Sequence, residues 1–236
     1  MAKVQPLLGP NPVQSEYLEA YRSLRTIVLT MQGDLTLRTI LVTSARPAEG
    51  KTTVAVNLAT VLALAEKEIV LVDTDFQLPQ IHLLYGLDQG PGFTDVCAGE
   101  ASLEEALSPA DVPHLSVLPV GRQAEEGDDM MGSARMHQLL AELKQRFDLV
   151  VFDSAPVNYF AGAAQLAAVT DVVLLVVRSR TYAAPVQHAL RTLETVGANV
   201  PGIVLNDVTA VDREVVGGYH YGYGYGYGYG RKEKPG

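Results

Sequence analysis

Short apolar runs recur along the chain and alternate with longer stretches whose apolar positions return at helical spacing. "TILVTS", "EIVLVDTD", "LSVLPV", "DLVVFD", "DVVLLVV" and "GIVLND" read as strands. "KTTVAVNLATVLALAEK", "SARMHQLLAELKQRF", "AGAAQLAAV" and "APVQHALRTLETV" read as helices between them. The strand runs are nearly continuous Val, Ile and Leu, the pattern of strands buried on both faces in a mostly parallel sheet covered by helices. The predicted fold class is therefore α/β, doubly wound. Near the start, Tyr17, Tyr21, Leu24 and Val28 recur at helical spacing, which predicts a helix over residues 15–30 with Ser15 as its N-cap. Residues 86–100 and 121–132, rich in glycine, proline and acidic residues, read as connections.

The pattern changes near Asp212, where the folded part is expected to stop. Residues 1–212 are read as one domain and 213–236 as a flexible tail, in which Tyr219, Tyr221, Tyr223, Tyr225, Tyr227 and Tyr229 occupy every second position among glycines. Such a segment has nothing to pack on and maximal entropy to lose on ordering. A sticky low-complexity end is the plain reading of the tail alone. A sharper one needs something that acts on tyrosine hydroxyls.

Composition narrows the choices. At 236 residues and 47% hydrophobic content, the chain has the length for one domain with a substantial core. A net charge of −9 argues against a broad nucleic-acid surface, although the tail ends with Arg231, Lys232 and Lys234. Cys97 is the single cysteine, which excludes an intrachain disulfide, and the five histidines show no metal-ligand spacing; a reducing, cytoplasmic setting is expected. No apolar run approaches the ~20 residues of a membrane helix.

Chemistry concentrates at three strand ends. "TILVTSARPAEGKTT" is a strand, a tight loop and a helix start, the order a phosphate cradle requires. Backbone N–H groups over residues 48–53 can converge on phosphate oxygens, helped by the positive end of the following helix. Gly50 lets the backbone come close, Lys51 can bridge terminal phosphates, and the Thr52 hydroxyl can complete a magnesium shell. Ala45 stands at the first motif position in place of glycine. Asp73 and Asp75 close "EIVLVDTD" and Asp153 closes "DLVVFD". One aspartate at a strand end is usually a cap or turn former. Three beyond strands that share an edge with a phosphate loop can meet at one magnesium-nucleotide site, because ligands of open α/β sheets sit beyond the strands' carboxyl ends.

These segments, with "EAYRSLR", "GFTDVCAGEASLEEAL", "LVVFDSAP", "VTDVVLLVVRSRT" and "GANVPGIVLNDV", resemble the bacterial tyrosine kinases of the P-loop type from about residue 14 to the end. The resemblance implies a P-loop NTPase fold that binds ATP and Mg2+, with nucleotide contacts at Ala45, Arg46, Pro47, Ala48, Glu49, Gly50, Lys51, Thr52, Thr53 and Asn206. It gives Lys51 the transferring phosphoryl, and Thr52, Asp75 and Asp153 the magnesium. It makes Asp73 the group that orients or deprotonates the incoming tyrosine. The six tail tyrosines become phosphoacceptors for a neighbouring subunit. Glu19, Arg22 and Arg25, at i, i+3 and i+6 on roughly one face of the first helix, become contacts of a ring-like homo-oligomer; a solvated face with internal ion pairs is the plain reading of the same residues. The resemblance further implies regulation of capsular or exopolysaccharide synthesis and export. With it come a separate transmembrane activator or polysaccharide co-polymerase that recruits the cytoplasmic chain to the inner face of the membrane, and a cognate phosphotyrosine phosphatase.

The chain departs from that pattern at Gln77, where a basic residue is usual, at Ser154-Ala155-Pro156 in place of Thr-Pro-Pro, and at Gly162, near which an Asp is common. Arg46 stands where related positioning and partition ATPases carry a signature lysine, which favours the kinase branch. Those ATPases and a nucleotide-binding, non-catalytic scaffold are the alternatives on the same fold.

Overall fold

In the computed structural model, which describes residues 12–34, 37–88, 90–122 and 127–208, the apolar runs form one seven-stranded sheet. Its strands are β1 (Thr39–Ser44), β2 (Ile69–Thr74), β3 (Ser108–Pro109), β4 (Leu115–Leu118), β5 (Leu149–Ser154), β6 (Val172–Arg178) and β7 (Gly202–Asn206). They lie in the order β3-β4-β2-β5-β1-β6-β7. Every pairing is parallel except that of β3 with β4.

Nine helices are described: α1 (Pro12–Asp34), α2 (Lys51–Ala63), α3 (Ile81–Tyr85), α4 (Phe93–Ala98), α5 (Leu103–Ala106), α6 (Gly127–Met130), α7 (Ala134–Arg146), α8 (Ala161–Ala167) and α9 (Ala183–Thr195). Two apolar cores sandwich the sheet. On one face Ile40, Val42, Leu71 and Val151 pack against α1, α2 and α3 through side chains such as Val28, Leu58 and Ile81. On the other Leu41, Val72, Phe152 and Leu175 meet Phe93, Leu139, Leu166 and Leu193 of the later helices. Residues of β1, β2 and β5 are buried throughout, which explains why their sequences do not alternate.

Two expectations shift. The first helix starts at Pro12 and runs to Asp34, so Ser15 lies inside it and does not cap it. Proline suits a first helical position, where its missing N–H costs no bond and its φ is already helical. The connection over 86–100 contains α4, and that over 121–132 contains α6. Helix α4 is short but anchored: the Asp95 carboxylate accepts the N–H groups of Gly92 and Arg122, and Phe93 fills the core beneath. Among the described residues no helix is long and apolar enough to cross a membrane. The six tail tyrosines and the boundary expected near Asp212 lie outside the described residues.

Candidate nucleotide and phosphoryl-transfer site

The topology brings the carboxyl ends of β2, β5 and β1 side by side, and with them every strand-end group singled out from the sequence. Asp73 and Asp153 are register partners across β2 and β5, while Val42, two residues before the end of β1, pairs with Asp153 on its other side.

The loop between β1 and α2 is built by its own carboxylate. Glu49 is buried and points away from the cradle: Oε2 accepts the Arg46 N–H at 2.8 Å and Oε1 accepts the Thr181 hydroxyl at 2.8 Å. Its carbonyl accepts the Asn206 side-chain amide at 3.0 Å. The loop is thus tied to the ends of β6 and β7. Two left-handed residues, Ala48 at φ 62° and Gly50 at φ 89°, turn the backbone into the helix. For alanine that conformation costs about 1–2 kcal/mol, a strain that the ties on either side hold in place. Helix α2 starts at Lys51 with no side-chain cap on its first N–H groups, which leaves them for an anion.

The acidic side is divided in labour. Asp73 takes three backbone N–H groups, from Asp75 at 3.1 Å, Gln80 at 3.2 Å and Ile81 at 3.1 Å, and so organises the turn that leads into α3. Asp75 forms a buried ion pair with Lys51 at 2.6 Å and accepts the Leu78 N–H at 3.1 Å. Asp153 is fully buried; no group donates to either oxygen at good hydrogen-bond geometry, and the Thr52 hydroxyl is its polar neighbour. Burial pushes the Asp73 carboxyl up to about 7, with its three N–H donors opposing and repulsion from Asp75 adding; burial pushes Asp153 up to about 8, with the Lys51 cation opposing and repulsion from Asp73 and Asp75 adding.

A buried carboxylate whose polar neighbours are Lys51 and Thr52 of the phosphate loop fits a magnesium ion. Among the described residues no three His, Cys, Asp or Glu side chains form a ready-made cage. Magnesium is ordinarily held by one or two carboxylates together with phosphate oxygens and water, so the donor set matches the ion.

The raised carboxylates make a pH prediction for the metal-free protein. The folded state holds protons on Asp73 and Asp153 that the unfolded chain releases near pH 4. Their contribution to stability is complete below that pH and is lost as pH rises through about 7 to 8. Asp153→Asn removes the larger of the two shifts. Its melting temperature should therefore exceed the parent's by about 4 °C or more at pH 8, with the gap closing towards pH 5. Thermal denaturation across pH checks this; a constant gap would show that Asp153 titrates normally.

Beside the loop opens a cleft of about 1050 Å³ between α1 and β7, lined by Tyr17, Leu24, Gly50, Thr53, Ile203 and Asn206 among others. The sequence reading placed only the loop and Asn206 here. The part played by α1 and the exposed face of β7 depends on packing across the chain, which no local motif encodes.

Two departures in the sequence meet in space. The Gln77 amide donates to Asp128 Oδ2 at 3.0 Å, and a side chain at Gly162 would run into the same carboxylate. The carboxylate beside position 162 is thus supplied by α6, a residue that sequence reasoning passed over. Gly127 makes this possible, since a Cβ there would collide with the Phe76 ring on which α6 sits.

Of the expected oligomer contacts, Glu19 and Arg22 are exposed and pair with each other at 3.4 Å. Arg25 is partly buried and donates to the Val61 carbonyl of α2 at 3.4 Å. The three therefore do not form a single free ionic stripe; the third holds α1 on the domain.

Comparison with known proteins agrees with this geometry. Residues 37–201 match the AAA domain family. The tyrosine-protein kinase YwqD of Bacillus subtilis is 32% identical over 189 residues, which cover 80% of this chain and 80% of YwqD. The chain belongs to the bacterial tyrosine-kinase family. It is also 30% identical over 204 residues to the tyrosine-protein kinase ptk of Acinetobacter johnsonii; the match covers 86% of this chain but 28% of that relative's length. The solved kinase domain of the Escherichia coli tyrosine kinase ETK superposes with a TM-score of 0.76 at 26% identity, over 87% of this chain and 80% of that one. The cell-division ATPase MinD of Pyrococcus furiosus fits less well, at a TM-score of 0.61 over 71% of both chains.

Proposed function

We propose that this chain is an ATP-dependent protein-tyrosine kinase that phosphorylates the tyrosine cluster 219–229 of a neighbouring copy. The observation that carries the reading is the meeting of Lys51, Asp75 and the open Asp153 carboxylate beside the phosphate loop, in a chain whose sequence also supplies six tyrosines. The residues 45–53 and Asn206 bind the nucleotide, with the cleft between α1 and β7 taking its base and ribose. Thr52, Asp75 and Asp153 would hold Mg2+, which supplies charge neutralisation on the phosphates.

In the transfer, the bond between the γ-phosphorus and the ADP oxygen breaks and one to the tyrosine oxygen forms, while the hydroxyl proton passes to a carboxylate. Lys51 leaves Asp75 for the transferring group, where charge builds. Asp73 is the proton acceptor, and a carboxyl raised to about 7 suits that task near neutral pH. Residues 1–212 form the kinase domain and 213–236 the substrate tail. Glu19 and Arg22 remain contacts of a ring-like homo-oligomer. The process regulated is polysaccharide synthesis and export, with a separate transmembrane activator that recruits the chain to the inner membrane face and a phosphatase that resets the tail.

Mixing a form without a working site and a form without acceptors tests intersubunit transfer. Lys51→Met keeps the acceptors, and a variant with all six tail tyrosines changed to Phe keeps the site. Phosphotyrosine should appear on the Lys51→Met chain in the mixture with Mg-ATP and on neither chain alone. ADP formed without phosphotyrosine would instead support a positioning-type ATPase, and neither product a non-catalytic scaffold.

A further inference from the structure

Three of the four large apolar side chains most exposed among the described residues lie in loops at the carboxyl edge of the sheet; the fourth, Leu83, lies in α3. Tyr182 is 78% exposed, Leu78 66% and Tyr159 58%. They follow the carboxyl ends of β6, β2 and β5, the strands that flank or carry the phosphoryl-transfer groups. The loops that carry them are fastened by hydrogen bonds. Leu78 donates its N–H to Asp75, and Tyr182 follows Thr181, whose hydroxyl holds Glu49 of the phosphate loop. Tyr159 follows Asn158, whose amide donates to the Pro185 carbonyl at 2.9 Å and joins the β5 loop to the start of α9. Exposed apolar groups held this firmly around a reaction centre cost solubility and return nothing to the fold, which marks a contact surface.

We infer that Leu78, Tyr159 and Tyr182 form an apolar collar that docks the tyrosine segment 219–229 of a second copy, and so select a tyrosine flanked by other tyrosines two residues away. The inference rests on the kinase reading of the same site. The segment itself argues for the match. In an extended chain, residues i and i+2 point to one side about 6.6 Å apart, and glycine at most intervening positions leaves the other side bare. When one tyrosine enters the site, its neighbours two and four residues away lie over the rim on the same side. Residues 217–230 carry no acidic side chain and a single histidine, His220, so the segment approaches an acidic protein without repulsion. A kinase for isolated tyrosines would have no use for three apolar groups outside its reaction centre.

The test uses the full chain with its six tail tyrosines changed to Ala, and a labelled synthetic peptide of residues 217–230 whose binding is read by fluorescence anisotropy and whose phosphorylation is read separately. Changing Leu78, Tyr159 and Tyr182 together to Ser should weaken peptide binding and raise its KM by about 10- to 100-fold. ATP affinity and kcat at saturating peptide should stay as they were. Tyr159→Phe with Tyr182→Phe should keep binding within about 3-fold, because the rings and not the hydroxyls make the contact. Peptide that binds parent and triple variant alike, or that binds neither, overturns the collar. Peptide that binds through the collar but gains no phosphate leaves the collar standing and removes the kinase reading.

Discussion

Lys51→Met should lower phosphotyrosine formation by about 10²- to 10³-fold or more and, in the same protein, lower the melting temperature. The first effect follows from removing a cation placed where charge builds in the transition state. The second follows from the buried pair with Asp75, since the Lys51 and Asp75 side chains are only 12% and 4% exposed. Methionine leaves the Asp75 carboxylate in that position with the Leu78 N–H as its remaining partner, at a cost of about 3 kcal/mol. Lys51→Met with Asp75→Asn separates the two effects. The double variant should regain the melting temperature and remain inactive, because an amide tolerates the site without a cation but restores nothing to the transferring phosphate. Parental phosphotyrosine levels in either variant would remove Lys51 from the site.

Gly50→Ala should weaken ATP binding by about 10- to 100-fold, with smaller losses from the Thr52 and Thr53 hydroxyls. Gly50 has φ 89°, which a side chain adopts only under strain of about 1–3 kcal/mol. An added Cβ would also fall inside the Asn206 side-chain amide, which fastens β7 to the loop through the Glu49 carbonyl. The loop must therefore move or lose that fastening, and either change scatters N–H groups that act only when aligned. Gly50→Ala with Asn206→Ala removes the collision and keeps the strain, so it should recover part of the affinity and none of the fastening. Isothermal titration with ATP measures both. Equal affinity in parent and Gly50→Ala would mean that the loop does not cradle the phosphates.

Much of this was legible in the sequence because the fold is a parallel sheet. Strands buried on both faces announce themselves as continuous apolar runs, so all six runs read as strands are strands. Among the described residues the one strand passed over is β3, two residues on an edge, which carries no pattern. Helices α2, α7, α8 and α9 begin within a residue or two of where apolar periodicity and local caps place them; Ser133, for example, accepts the Met136 N–H at the start of α7. The chemistry was legible for a related reason: parallel strands carry their terminal residues to one edge, so Lys51, Asp73, Asp75 and Asp153 had to meet.

What did not show was the state of those groups. That Lys51 is spent on Asp75, that Asp73 is occupied by three N–H groups and that Asp153 stands open depends on how the turn over residues 75–81 folds back. Glu49 illustrates the same limit. A carboxylate inside a phosphate loop looks misplaced until Thr181, 132 residues away, is found to hold it outward. The division of the first helix's charges, with Arg25 turned onto α2, follows from which side of α1 packs, and spacing alone does not fix that.

On this reading a phosphate loop and three strand-end carboxylates serve a reaction whose acceptor is the chain's own tail. The decisive measurement is mass spectrometry of the purified 236-residue chain after incubation with Mg-ATP and digestion. Phosphate should appear on several of Tyr219, Tyr221, Tyr223, Tyr225, Tyr227 and Tyr229 and be absent when Mg2+ is chelated. ATP turned over to ADP with every one of those tyrosines unmodified would contradict it.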